Sequence, residues 1–141
     1  MKTSARNKFV GKVSGIRTGM ILTEVELTTA SGLKVVSVIT NESMESLALV
    51  MGSPVTATIK APWVILIKEE HRFKTSARNK FPGKISKVNE GQIAAEVVVD
   101  LADGTKVTSL ITDVSVKALD LKVGDEVYAL VKAFSVILNV D

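Results

Sequence analysis

The residues of this chain that could do chemistry are almost all hydrogen-bond donors, and they occur twice. Ser4, Arg6, Thr40, Ser43 and Lys60 recur in type and order as Ser76, Arg78, Thr112, Ser115 and Lys132. Arg and Lys only donate, Ser and Thr can donate, and none of the ten brings a negative charge. Such a set suits an anion whose oxygens all accept. It does not suit acid–base or nucleophilic catalysis. The only identically matched acids are Glu24 and Glu96, read as exposed strand positions with no second carboxylate or base beside them. No catalytic residue is assigned and no enzyme activity is expected. With Cys 0 and His 1, thiolate zinc sites, His clusters and disulfides are excluded. The single histidine, His71, reads as a surface residue.

The donors sit at definable places. Thr40 ends a strand and Ser43 lies in the first turn of a short helix, so both hydroxyls can face one anion over that helix start. Ser4 and Arg6 alternate on an extended segment and share a side of the chain. Lys60 closes a fourth strand. Each residue also has a plainer reading: Ser4 and Arg6 as a polar strand lead-in, Thr40 and Ser43 as helix-start residues, and Lys60 as a guard on a strand end. Spacing alone does not say whether the three segments converge.

The elements that position them come from a duplication. Residues 2–9 return letter for letter as residues 74–81, and about half of all aligned pairs are identical when the offset is carried to the end. This divides the chain into repeat one at residues 1–69, a junction at 70–73 and repeat two at 74–141. In repeat one, residues 9–16, 21–28, 33–40, 55–61 and 64–67 are rich in Val, Ile, Leu and Thr and predict five short strands. Thr18-Gly19 and Glu90-Gly91 predict the first turns, and Ser31-Gly32 and Asp103-Gly104 the second. Residues 41–50 predict a helix capped by Asn41, or by Asp113 in repeat two, and closed by Gly52 or Gly124. Its apolar stripe is Met44, Leu47, Ala48 and Met51, kept as Val116, Leu119 and Val123 in repeat two. The expected fold is all-β: two tandem OB-like small β-barrels, each with one short helix.

Composition bounds the partners. The 141 residues carry 18 Lys plus Arg against 15 Asp plus Glu, a net charge of +3, and 46% are apolar. That is the composition of a globular protein, and the excess charge is too small to argue for nucleic acid. The longest apolar run, residues 61–67, is far short of the roughly 20 residues a membrane helix needs. The polar, basic first residues have no apolar segment behind them, so a cytoplasmic address and no membrane partner are expected. Barrels this small, with one Trp, one Tyr and four Phe, bury little and are expected to oligomerise. Trp63 is matched by Ser135 and reads as packing. The alternative function is an OB-type single-stranded nucleic-acid binder, which the scarcity of aromatics opposes.

Several motifs together carry a family resemblance: Ser-Ala-Arg-Asn before Phe-x-Gly-Lys, Ile-Thr-x-x-Ser before the helix, and Val-x-Ala-x-x-Lys-Ala before Val-Ile-Leu. They resemble the molbindin, or Mop, family of molybdate-binding domains, over both repeats. The resemblance implies a free-standing tandem binder of molybdate and tungstate in molybdenum storage or homeostasis. It implies trimers with oxyanions held between neighbouring barrels, no cofactor, no direct metal ligand and no nucleic-acid partner. By resemblance the ligand roles fall on the ten donors above. Supporting backbone contacts fall near Ala5, Asn7, Ala61, Ala77, Asn79 and Ala133. A second type of site near the symmetry axis is implied without assignable residues. The clearest departure is Lys132-Ala133-Phe134-Ser135 against Lys60-Ala61-Pro62-Trp63.

Overall fold

In the computed structural model, which describes residues 1–68 and 71–141, the chain forms ten strands and two short helices. Glu69, and Glu70 of the predicted junction, lie outside the described residues. Repeat one gives β1 (Asn7–Thr18), β2 (Leu22–Thr29), β3 (Lys34–Thr40), α1 (Asn41–Leu47), β4 (Pro54–Ile59) and β5 (Ile65–Ile67). Repeat two gives β6 (Asn79–Glu90), β7 (Ala94–Leu101), β8 (Lys106–Thr112), α2 (Asp113–Ala118), β9 (Glu126–Val131) and β10 (Ile137–Asn139). β2 and β7 alternate, every second residue of β7 being buried, whereas β3, β4, β8 and β9 each carry three consecutive buried residues. A 3-10 turn that the sequence did not predict, Ala61–Trp63 or Ala133–Ser135, precedes each last strand.

Two antiparallel five-stranded sheets result, in the orders β10-β4-β1-β2-β3 and β5-β9-β6-β7-β8. The first strand of each repeat is long because it serves two neighbours: β1 pairs with β4 through Asn7–Lys12 and with β2 through Gly11–Thr18. A bulge between Val13 and Gly15, repeated between Ile85 and Lys87, bends it at the changeover. The matched glycines there leave no room for a side chain. A Cβ on Gly83 would stand 2.6 Å from Asp100 O, and one on Gly11 would run into Thr28 O.

Each sheet curls so that its edges are tied by a buried serine. Ser37 Oγ on β3 donates to Val136 O at 2.8 Å, and Ser109 Oγ on β8 donates to Val64 O at 2.6 Å. The matched serines are therefore structural. Inside the first sheet lie Phe9, Val25, Leu27, Val35 and Ala57; their counterparts Phe81, Val97, Val99, Val107 and Ala129 fill the second.

The compact units and the sequence repeats have different boundaries. One unit comprises Met1–Ile59 with Lys132–Asp141, the other Lys60–Val131. The last strand of each repeat therefore belongs to the sheet begun by the other: β10 pairs with β4 and β5 pairs with β9.

Candidate functional site

The helices are shorter than the spacing predicted and are capped one residue earlier. Thr40 and Thr112, not Asn41 and Asp113, are the N-caps. Thr40 Oγ1 accepts from Ser43 N at 3.1 Å and donates to Ser43 Oγ at 2.9 Å. Thr112 and Ser115 repeat both bonds at the same lengths. Asn41 is taken by other work: its Oδ1 accepts from Thr23 Oγ1 at 2.6 Å and its Nδ2 donates to Gly19 O at 3.0 Å. Nor do Gly52 and Gly124 end the helices. Ala48, in the left-handed region, caps α1, Leu119 caps α2, and the two glycines shape the turn before the next strand. The expected apolar stripe fails too. No residue of α1 is buried, and in repeat two only Val116 is, while Met51 and Val123 are exposed. With six or seven residues, each helix lends little dipole, so the chemistry at this end rests on the two coupled hydroxyls.

At the other end of the first strand, a buried asparagine aligns two donor-bearing segments. Asn7 is only 2% exposed and its Nδ2 donates to Ile59 O at 3.2 Å; Asn79 does the same to Val131 O. Asn7 stands opposite Ile59, and Asn79 opposite Val131, in antiparallel register. Arg6 and Lys60 thus leave the ladder at the same end, as do Arg78 and Lys132. Ser4, Arg6 and Lys60 are exposed, and so are Ser76, Arg78 and Lys132. Lys60 Nζ lies 5.8 Å from the centre of the Trp63 ring, a contact Ser135 does not offer Lys132. Among the expected backbone donors, the N–H groups of Ala5 and Ala77 bond to Thr3 Oγ1 at 3.1 Å and Thr75 Oγ1 at 3.2 Å. Ala61 and Ala133 are buried at the start of the 3-10 turns.

The strand register keeps these two donor groups apart within a sheet. Thr40 pairs with Leu22, and Thr23 with Thr18, so Thr40 is level with the far end of β1. Asn7 opens that strand. The path between spans about 36 Å of strand at about 3.3 Å per residue. The structure therefore joins Thr40 to Ser43, and aligns Arg6 with Lys60, without gathering all five into one cluster.

Of the matched lysines outside these groups, Lys34 pairs with Glu26 at 3.7 Å and Lys106 with Asp100 at 2.9 Å. The Lys106 ammonium, aided by Ser86 Oγ, holds the Asp100 carboxyl below its usual range. Glu24 meets Arg17 at 3.0 Å, and Glu24 and Glu96 are half-buried on their strands and not the exposed positions expected. Among the described residues no group of three His, Cys, Asp or Glu could hold a metal ion. Sequence reasoning missed three contributors: Asn7 and Asn79 as aligners, Trp63 beside Lys60, and a cluster of Phe73, Lys80 and Tyr128. The asparagines carried a signal, being matched at the start of a strand; the aromatic contacts carried none.

The TOBE domain family matches residues 3–66 and 75–138, one domain per repeat. The chain belongs to this family. The chain superimposes with a TM-score of 0.95 on a crystal structure, with molybdate bound, of the cytoplasmic molybdate-binding protein ModG. That protein is 41% identical, with all of both chains covered. The molybdenum transport protein ModE of Herbaspirillum seropedicae is 39% identical over 140 residues, 99% of this chain and 52% of its own. The molybdenum-pterin-binding protein MopA of Rhodobacter capsulatus is 35% identical over 138 residues, 98% of this chain and 52% of its own. The TOBE pair thus spans about half the length of the curated relatives it matches. No helix among the described residues is long and apolar enough to cross a membrane.

Proposed function

We propose that this TOBE pair binds molybdate, with tungstate as an effective competitor, and acts by binding without turnover in cytoplasmic molybdenum homeostasis. The observation that carries the reading is the duplicated donor-only set, Ser4, Arg6, Thr40, Ser43 and Lys60 with its counterparts, on a fold shared with a molybdate-bound protein. Molybdate near neutral pH is a tetrahedral dianion whose four oxygens all accept, so donors alone satisfy it. Monohydrogen phosphate brings a proton for which the set holds no carboxylate acceptor, and sulfate is smaller. Both should compete poorly.

That each sheet holds its two donor groups at opposite ends of a strand supports a shell completed by groups from more than one barrel. The oxyanions then sit between barrels of an oligomer, which we take to be a trimer. Single-stranded nucleic acid is the weaker reading, since Lys80 already lies over the rings of Phe73 and Tyr128, at 3.9 and 4.6 Å from their centres.

Titration calorimetry of ligand-free protein is the test. Molybdate and tungstate are expected to bind stoichiometrically and to stay bound at moderate salt, whereas any oligonucleotide binding falls steeply with log salt. Arg6→Ala or Lys60→Ala should weaken the affected sites roughly ten- to a hundredfold, the worth of a charge-assisted contact. Absence of heat with either oxyanion overturns the reading.

A further inference from the structure

Repeat two holds its donor segment in a way that repeat one does not. Phe73 and Tyr128 meet edge to face, with ring centres 5.1 Å apart and planes at 78°. Lys80 Nζ lies 3.9 Å from the centre of the Phe73 ring and 4.6 Å from that of Tyr128. Tyr128 is on β9, Lys80 is the second residue of β6, and their strands are paired there, Lys80 facing Leu130 and Pro82 facing Tyr128. The base of the cluster is thus fixed by the sheet. Phe73 belongs to no strand; it is brought down onto this base from the segment that leads into β6.

Between Phe73 and Asn79 lie five residues, among them Ser76 and Arg78. One end of this segment is anchored by Phe73 on Tyr128 and Lys80. The other is anchored by Asn79, buried and bonded to Val131 O at 3.2 Å. A stretch fixed at both ends has far fewer conformations to lose when its side chains close on a ligand. In repeat one the lysine persists as Lys8, but Met1 stands where Phe73 does and Thr56 where Tyr128 does. The matching segment, residues 2–6, has its Asn7 anchor and lacks the aromatic one.

We propose that Phe73, Tyr128 and Lys80 form a clamp that pre-orders the Ser76–Arg78 donor segment, making the oxyanion sites built on repeat two the tighter of two classes. The assignment of the oxyanion rests on the molybdate reading above; the ordering of the segment does not. The three residues position the donors and touch no ligand themselves. Cation–π and aromatic contacts of this kind survive replacement of the phenol by a plain ring and are lost with threonine.

The experiment compares full-length wild type, Tyr128→Thr, Tyr128→Phe and Arg78→Ala. Ligand-free protein is first digested with trypsin, which cuts after Lys74 and Arg78 in the clamped segment and after Lys2 and Arg6 in the other. Cleavage at Lys74 and Arg78 should be the slower in wild type and in Tyr128→Phe, and several-fold faster in Tyr128→Thr. Calorimetry with molybdate should then resolve two classes of site. Arg78→Ala should remove the tighter class. Tyr128→Thr should weaken that class five- to tenfold, Tyr128→Phe should leave it unchanged, and the Arg6-dependent class should be insensitive to both. Unaltered cleavage in Tyr128→Thr overturns the clamp, whatever the calorimetry gives. Equal weakening of both classes overturns its assignment to repeat two. Failure of wild type to bind molybdate overturns the functional reading alone, because the proteolytic result stands without it.

Discussion

Thr40 does two jobs that a single substitution can separate. Its Oγ1 accepts from Ser43 N, capping α1, and its hydroxyl is coupled to Ser43 Oγ. Thr40→Ala should therefore cost about 1 kcal/mol of folding stability through the lost cap. It should also weaken molybdate binding about tenfold or more through the lost donor. Thr40→Ser should preserve both, and denaturant melts beside calorimetry check the pair. The sequence made Thr40 a candidate ligand but gave the cap to Asn41, because both residue types cap well and nothing local reveals that Thr23 and Gly19 already occupy the Asn41 side chain. A second residue-scale prediction concerns Asp125. Its Oδ2 meets Lys68 Nζ at 3.0 Å and accepts from the Lys122 N–H at 2.9 Å, and these bonds, the Lys68 one first, hold its carboxyl below the usual range. The stability it contributes is complete above the ordinary aspartate range and is lost as pH falls through the lowered value. Asp125→Asn should lower the melting temperature at neutral pH and flatten the acid limb of the stability curve, as thermal melts between neutral and strongly acid pH would record.

At the scale of elements, most of the fold was legible. Strands rich in Val, Ile and Thr were separated by Gly-containing turns, and β2 and β7 alternate because one face of each lies on the core. The exchange of last strands was not legible, because both repeats end in the same Val-Ile-Leu run and either copy would fit either sheet by local pattern. The choice is written in cross-strand pairs. On β10, Asn139 faces Thr56, and its Nδ2 donates to Thr56 O at 3.0 Å and Thr58 Oγ1 at 3.1 Å. On β5, Ile67 faces Tyr128 and Ile65 faces Leu130. Closing each repeat on itself would set Asn139 opposite Tyr128 and Ile67 opposite Thr56, polar against apolar in both. Ile67→Asn should thus destabilise by about 2 kcal/mol, combining lost apolar burial with an amide that meets no Thr hydroxyl on β9. Asn139→Ala should cost about 1 kcal/mol. Chemical denaturation of the two variants checks the order; equal losses would remove side-chain matching as the reason for the exchange.

For the whole molecule, the position of exposed apolar residues bears on assembly. Met20 is 99% exposed and Ile21 75%, at the tip of the β1–β2 hairpin, and Ile93 is 81% exposed at the corresponding tip of repeat two. This tip adjoins the hydroxyl donors: Asn41 N donates to Ile21 O at 2.9 Å, and Leu22 pairs with Thr40. One half of the proposed anion shell is therefore flanked by uncovered apolar surface, while the other half, Arg6 with Lys60, stands at the far end of β1. A second copy docking on the tip would cover the apolar residues and deliver the missing cations in the same step, so assembly and binding should fail together. Ile21→Asp places a charge in that contact without touching any proposed ligand or core residue. Light scattering should show wild type as an oligomer and Ile21→Asp as a smaller species, far-UV circular dichroism should be unchanged, and calorimetry should show the repeat-one class of molybdate sites weakened at least tenfold. Ile93→Asp should do the same to the repeat-two class. A folded Ile21→Asp monomer that binds molybdate as wild type does would show that one chain completes the shell, and the inter-chain site would have to be given up.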